Sequence, residues 1–312
     1  MNEQKIYDLI IMGAGPAGVA GAIYAHRKNI NILIIGENFG GQAVVAAKIS
    51  NIPGHIGISG MQMAQAFENH IKNVGVNFAI EKIEKVEKQD DFFLIKTVNN
   101  TYQGKNILMA FGRKYKDLDI SNEEKYKGKG LFYCSTCDAA LFKNKVAVVV
   151  GSGNTALNSV VDLFPFASKI YVITRGEIMR GDVVLQEEVK KNPKVEIIYN
   201  SQISELEGDM ILQAIKYKNS LTNEEKRLET FGVFVNIGMK PNSELLEGLV
   251  QLNENKEIIT DFLGKTSQKG IWAAGDITSL PHKQISIAIG DGIRAVLDIY
   301  SEIRKIKNSD AI

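Results

Sequence analysis

The sequence predicts an α/β protein built from two three-layer nucleotide-binding domains, the first of them interrupted by the second. Three observations predict it. A short apolar strand runs into Gly13-Ala14-Gly15-Pro16-Ala17-Gly18; the same pattern returns at Gly151-Ser152-Gly153-Asn154-Thr155-Ala156; and an apolar strand with a long helix follows after the second unit has closed. The domain boundaries fall at 1–113 with 243–312 for the first domain and 114–242 for the second. A chain of 312 residues with 45% hydrophobic content has enough apolar surface for two cores.

Tyr7-Asp8-Leu9-Ile10-Ile11-Met12 reads as a buried parallel strand, because its apolar run does not alternate. Gly13 and Gly15 let the backbone turn and approach a pyrophosphate, whose charge rests on the N-terminus of the next helix. That helix carries Ala20, Ile23, Tyr24 and Ala25 and leads into a strand from Ile30 to Gly36. A glycine-rich turn alone is an ordinary connector; strand, turn, helix and strand together make a dinucleotide fingerprint. Glu37 lies beyond Gly36 rather than at the strand end, which leaves the acidic ribose ligand open. Gly40-Gly41-Gln42 and Asn51-Ile52-Pro53-Gly54 read, by spacing alone, as turns. A helix is expected from about Gly60 to Val74, then strands around 77–80, 92–95 and 106–112. Arg113 to Gly130, rich in Lys and Glu, reads as a solvated connection between domains.

Phe132-Tyr133-Cys134-Ser135-Thr136-Cys137-Asp138-Ala139 holds the only two cysteines of the chain. Two unrelated buried cysteines would be the ordinary reading, but C-x-x-C in an α/β pattern points to redox work. One helical turn brings such thiols within bridging distance, and a helix N-terminus lowers a thiol pKa. Structural zinc needs about four Cys or His ligands; with four scattered histidines and no further cysteine, no metal is expected. The second fingerprint follows on strand 145–150, with a helix over 157–164 and a strand over 169–174. Further strands are expected at 195–199, 210–217 and 231–238, with a turn at 219–225. Gly270-Ile271-Trp272-Ala273-Ala274-Gly275-Asp276 is an apolar strand ending in an acid, and a helix follows from about Lys283 to Ile306. A carboxylate there is usually a cap or an ion-pair partner; beside a nucleotide it accepts hydrogen bonds from cofactor hydroxyls.

A formal net charge of +1 argues against nucleic acid as the main partner. No apolar run reaches the roughly 18 residues of a membrane span. The first residues lack an apolar core followed by a cleavage site, and the sparse cysteines fit a reducing compartment, so a cytoplasmic protein is expected.

Fingerprint, C-x-x-C-D, second fingerprint and a final A-A-G-D strand resemble the low-molecular-weight thioredoxin reductases. These are flavoproteins of the pyridine nucleotide-disulfide oxidoreductase superfamily. The likeness runs from about Tyr7 to Tyr300 and rests most on 133–138, Gly40-Gly41-Gln42, Asn51-Ile52-Pro53-Gly54, Ile237-Gly238-Met239-Lys240-Pro241 and Ala273-Ala274-Gly275-Asp276. The resemblance implies two Rossmann-like domains. It also implies FAD held by Gly13, Gly15, Pro16, Ala17, Gly41, Gln42, Asn51, Asp276, Lys283, Gln284 and Ile285. Asp276 would take ribityl or ribose hydroxyls, and the final helix would place its positive end by the ring. Cys137 would lie against the flavin, Cys134 would attack the disulfide of thioredoxin, and Asp138 would protonate a leaving thiolate. A homodimer is implied, as is rotation of the second domain between flavin-facing and substrate-facing positions.

On the nucleotide side Gly153, Asn154 and Thr155 keep the pyrophosphate turn. The family's H-R-R-x-x-x-R phosphate clamp is represented by Thr174-Arg175-Gly176-Glu177-Ile178-Met179-Arg180, so Arg175 and Arg180 match while the His and the middle Arg are absent. Losing one arginine costs about 1.5–3 kcal/mol of phosphate binding. Lys283 replaces an Arg, Phe111 a Thr and Ala139 a Gly. NADPH is the expected donor. NADH and reduced ferredoxin are the alternative donors, and a non-enzymatic FAD redox sensor is the alternative from outside enzymology.

Overall fold

The computed structural model describes residues 5–45, 49 and 51–309, without the side chains of Val45, Cys137 and residues 307–309. The chain divides into two compact units, Met1–Lys114 with Lys240–Ile312, and Tyr115–Met239.

In the first unit five parallel strands run in the order Ile271–Ala273, Ile107–Met109, Leu9–Met12, Ile32–Gly36, Asn77–Ile80. Side chains alternate across a strand, and here the alternation separates two cores. Leu9 and Ile11 pack with Val19, Ala22, Ile71 and Val296 of the helices. Ile10 and Met12 pack with Ile83, Phe93 and Ile95 of a second, four-stranded sheet. Both faces of the central strands are therefore covered, which is why Leu9–Met12 and Ile32–Gly36 are buried throughout and read as unbroken apolar runs. The covering sheet has the order Ile6–Tyr7, Thr101–Gly104, Phe93–Thr97, Ile83–Lys88.

The helices have local causes. Gly60–Val74 starts at a capping box: Gln62 N–H donates to Ser59 Oγ (3.1 Å), and Ser59 N–H donates to Gln62 Oε1 (2.9 Å). It ends at Gly75, whose φ of 75° is the left-handed stop that glycine adopts without strain. Helix Pro16–Arg27 opens with proline at its first position and buries mostly Gly and Ala. The small residues permit a close crossing with the final helix Ile285–Ser309: a Cβ on Gly292 would sit 2.0 Å from the carbonyl oxygen of Ala17.

The second unit repeats the plan. Its parallel sheet runs Leu131–Phe132, Gly232–Val235, Val146–Val150, Lys169–Ile173, Val195–Ile198. Ala147, Val149 and Phe234 face Leu157, Val160 and Val189 of helices Asn154–Leu163 and Val183–Lys191. Val148, Val150 and Val233 face Ile203, Leu206 and Ile215 of the antiparallel sheet Ser201–Glu207, Ala214–Asn219, Glu225–Glu229.

Two expectations are corrected. The strand expected over 210–217 begins only at Ala214, because Gly208 turns at φ 154° and leaves Met210 and Ile211 exposed. The segment 113–130 is not uniformly solvated: Tyr126 is buried and Glu123 is only 4% exposed. The Glu123 carboxylate accepts from the N–H groups of Leu118 (2.9 Å) and Asp119 (3.1 Å), so it serves as an internal loop clamp. Among the described residues no helix is long and apolar enough to cross a membrane.

Candidate functional site

In the first unit the glycines of the opening turn do different work. Gly13 has φ 110°, and a Cβ there would lie 2.3 Å from the carbonyl oxygen of Ala110. Gly18 packs the helix onto the turn, since its missing Cβ would lie 1.8 Å from the Gly13 oxygen. Gly15 is the N-cap of Pro16–Arg27 and offers no side-chain cap, so the first N–H groups of that helix are open to an anion. A Cβ on Gly41 would approach the Gly15 Cα at 3.3 Å, so backbone faces backbone across the turn. Gly41 and Gln42 open a 3₁₀ turn, Gly41–Val45, and Gln42 is exposed.

The far end of the chain returns to this region. Asp276 sits on the 3₁₀ turn Gly275–Ile277; a Cβ on Gly275 would lie 3.1 Å from the Cβ of Ala17. Burial raises the Asp276 pKa, against the opposing pull of Lys283 and Arg113. Its carboxylate takes no hydrogen bond from the described residues, while Arg113 donates to its backbone oxygen (3.0 Å) and pairs with Glu257. A half-buried acceptor without a donor beside an uncapped helix N-terminus fits a ligand carrying hydroxyls and a pyrophosphate, as FAD does. Lys283 has its pKa lowered by burial, and its ammonium donates to the carbonyls of Thr278 and Leu280. Gln284 and Asn51 meet directly, Asn51 Nδ2 donating to Gln284 Oε1 at 3.1 Å. Ile285 packs on the small cluster of Ala43, Ile49 and Met63.

The second unit contains a cavity of about 880 Å³, within the range of small-molecule sites. Gly151, Gly153, Thr155, Arg175 and Arg180 line it; Asn154 does not, because its amide oxygen accepts from the N–H of Asp182 (2.7 Å). Gly153 is an uncapped helix N-cap whose missing Cβ would meet nothing within 4 Å. Arg175 and Arg180 are exposed, whereas Thr174 is buried and its Oγ1 accepts from Gly176 N–H (3.4 Å). Sequence reasoning missed the lining stretch Leu118 to Ser121, which the Glu123 clamp holds at Leu118 and Asp119. It also missed Asn236, which is 6% exposed and whose Oδ1 has no partner among the described residues.

The cysteine motif lies in the same unit. Cys134 is the N-cap of a single helical turn, Ser135–Asp138, and is disulfide-bonded; the Cys137 side chain lies outside the described residues. Asp138 is half-buried, and burial raises its pKa. The partner of the two hydroxyls between the cysteines gives no sequence signal. Ser135, 7% exposed, donates from Oγ to Asp162 Oδ2 (2.7 Å), and Thr136 Oγ1 donates to the same oxygen (3.3 Å). Upstream, Tyr133 stacks on Tyr115 with ring centres 5.2 Å apart. Burial, helped by the Glu123 charge, pushes its hydroxyl up to about 12.

Residues 7–292 match the family described as pyridine nucleotide-disulphide oxidoreductase. The chain is 34% identical to the thioredoxin reductase of Bacillus subtilis, over 99% of this chain and 98% of that one. It is also 34% identical to a Bacillus subtilis NADH dehydrogenase over 96% of its own length, and there it spans 59% of the relative. Among solved structures it is similar to thioredoxin reductase of Lactococcus lactis in its FR conformation, with TM-score 0.83 at 31% identity, covering 96% of this chain and 99% of that one.

Proposed function

The chain belongs to the pyridine nucleotide-disulphide oxidoreductase family, and we propose that it is a thioredoxin-disulfide reductase using FAD, NADPH and the Cys134/Cys137 pair. The observation that carries this reading is the redox turn itself. Cys134 caps a turn that ends at the half-buried Asp138, in the same unit as a cavity holding two arginines. Bound FAD supplies two-electron transfer between a reduced nicotinamide and a disulfide.

The chain's own residues bind, orient and move protons. Gly13, Gly15, Pro16 and Ala17 present helix N–H groups to the FAD pyrophosphate, and Asp276 accepts its hydroxyls. Gly41, Gln42, Asn51, Lys283, Gln284 and Ile285 hold the ring end. Gly153 and Thr155, which line the cavity, receive the nucleotide pyrophosphate, with Asn154 bracing the turn through Asp182, and Arg175 and Arg180 receive its 2′-phosphate. Cys134 attacks the thioredoxin disulfide, and Asp138 protonates the departing thiolate. A redox sensor has no need of a desolvated acid at that place.

Arg175→Ala or Arg180→Ala is expected to weaken NADP⁺ binding about tenfold each, without changing flavin content. Calorimetric titration measures it; unchanged affinity in both variants removes the phosphate clamp. One observation favours reduced ferredoxin as a second reading: Thr174 is buried and Gly176 has no side chain, so two of the clamp positions offer a phosphate nothing. Anaerobic stopped-flow mixing decides between the donors. Rapid bleaching of the flavin absorbance by NADPH supports the first; no bleaching by NADPH, with prompt bleaching by reduced ferredoxin, supports the second.

Asp138 carries a pH signature. Its raised pKa keeps the acid form to higher pH than an exposed aspartate. The stability this group contributes is therefore present below the unfolded value and lost as pH rises through the folded one. Asp138→Asn should flatten that dependence and slow thioredoxin reduction by about a hundredfold. Turnover and urea midpoints across pH measure both. Parent-like turnover would assign the proton to another donor.

A further inference from the structure

Ser135 and Thr136 are the two residues between the cysteines, and both hydroxyls end on one oxygen of Asp162. Asp162 belongs to helix Asn154–Leu163, which begins at the dinucleotide turn and ends beneath the redox turn. The Ser135 bond is short, 2.7 Å, and part-buried, with Ser135 itself 7% exposed, so it is a charge-assisted anchor. A four-residue helical turn has little intrinsic stability. Its place is therefore fixed by what holds it from outside. Asp162 also lies in the last turn of the helix, at its negative pole, and adds a formal charge there.

We propose that Asp162 is a positioning residue for the redox turn, holding Ser135 and Thr136 in place and biasing the cysteine pair towards its oxidised form. The inference rests on the cysteines being the redox-active pair. Reduction of that pair breaks one S–S bond and takes up two electrons and two protons, and the thiols formed carry partial negative charge as thiolates. A carboxylate bound to the two residues that separate the cysteines opposes that charge through space; the bias needs no contact to the sulfurs. The helix is the common support, so the glycine turn at one end and the turn Ser135–Asp138 at the other share one element.

The test is redox equilibrium of the purified holoprotein with dithiothreitol at pH 7, scored by thiol alkylation and mass. Asp162→Asn keeps an oxygen acceptor of the same shape and removes only the charge. It should make the pair about tenfold easier to reduce, an upward shift of about 30 mV for a two-electron couple. Ser135→Ala keeps the charge and removes the stronger anchor; it should leave the equilibrium near that of the parent while slowing thioredoxin turnover. Asp162→Asn that folds, binds flavin and equilibrates within about twofold of the parent overturns the proposal. If the parent pair itself does not exchange with dithiothreitol, the functional reading fails instead, and the two failures are distinguishable.

Discussion

Cys134→Ser is expected to abolish thioredoxin-linked turnover, to at least about a thousandfold below the parent, while flavin binding and reduction of the flavin persist. A serine hydroxyl cannot form the mixed disulfide through which thiol–disulfide exchange proceeds. Cys134 lies in the second unit, whereas the residues proposed to hold FAD lie in the first. Cys137→Ser should give the same loss, because a single thiol cannot resolve the mixed disulfide. The readout is insulin reduction through thioredoxin, with flavin absorbance as the control. Full turnover in either variant would remove the cysteine pair from the reaction.

Gly18→Ala is expected to lower stability by at least about 3 kcal/mol and to strip the flavin. Its Cβ would fall 1.8 Å from the Gly13 carbonyl oxygen, and Gly13 has no room to retreat, its own Cβ direction being closed 2.3 Å away by the oxygen of Ala110. Helix, turn and sheet would have to part. Gly290→Ala is the matched comparison: it lies inside helix Ile285–Ser309 with nothing within 4 Å, so the extra methyl should stabilise by about 0.5–1 kcal/mol. Urea unfolding and flavin content measure both. Equal stabilities would mean the turn is looser than its contacts indicate.

What could be read from the chain was local. The glycine turns, the apolar strands buried on both faces and the capped helix Gly60–Val74 all announce themselves within a dozen residues. Two of the antiparallel strands did not. Ile83–Lys88 is half-exposed and charged on its outer face, and Glu225–Glu229 is almost wholly polar, so neither presents an apolar run. The burial of Glu123 was hidden for another reason: its partners are backbone N–H groups, which every residue has. The Asp162 anchor and the Asn51–Gln284 bond join segments remote in sequence, where only the fold supplies the meeting.

The first unit is split while the second is continuous. As the chain leaves the ribosome, the interior unit can close once its strand Gly232–Val235 has emerged. Strand Leu9–Met12, made much earlier, must wait for Ile271–Ala273 to border its neighbour Ile107–Met109, and for the closing helix to cover its face. A strand translated early is thus among the last to be sealed. During that interval their apolar face is the natural target for a chaperone.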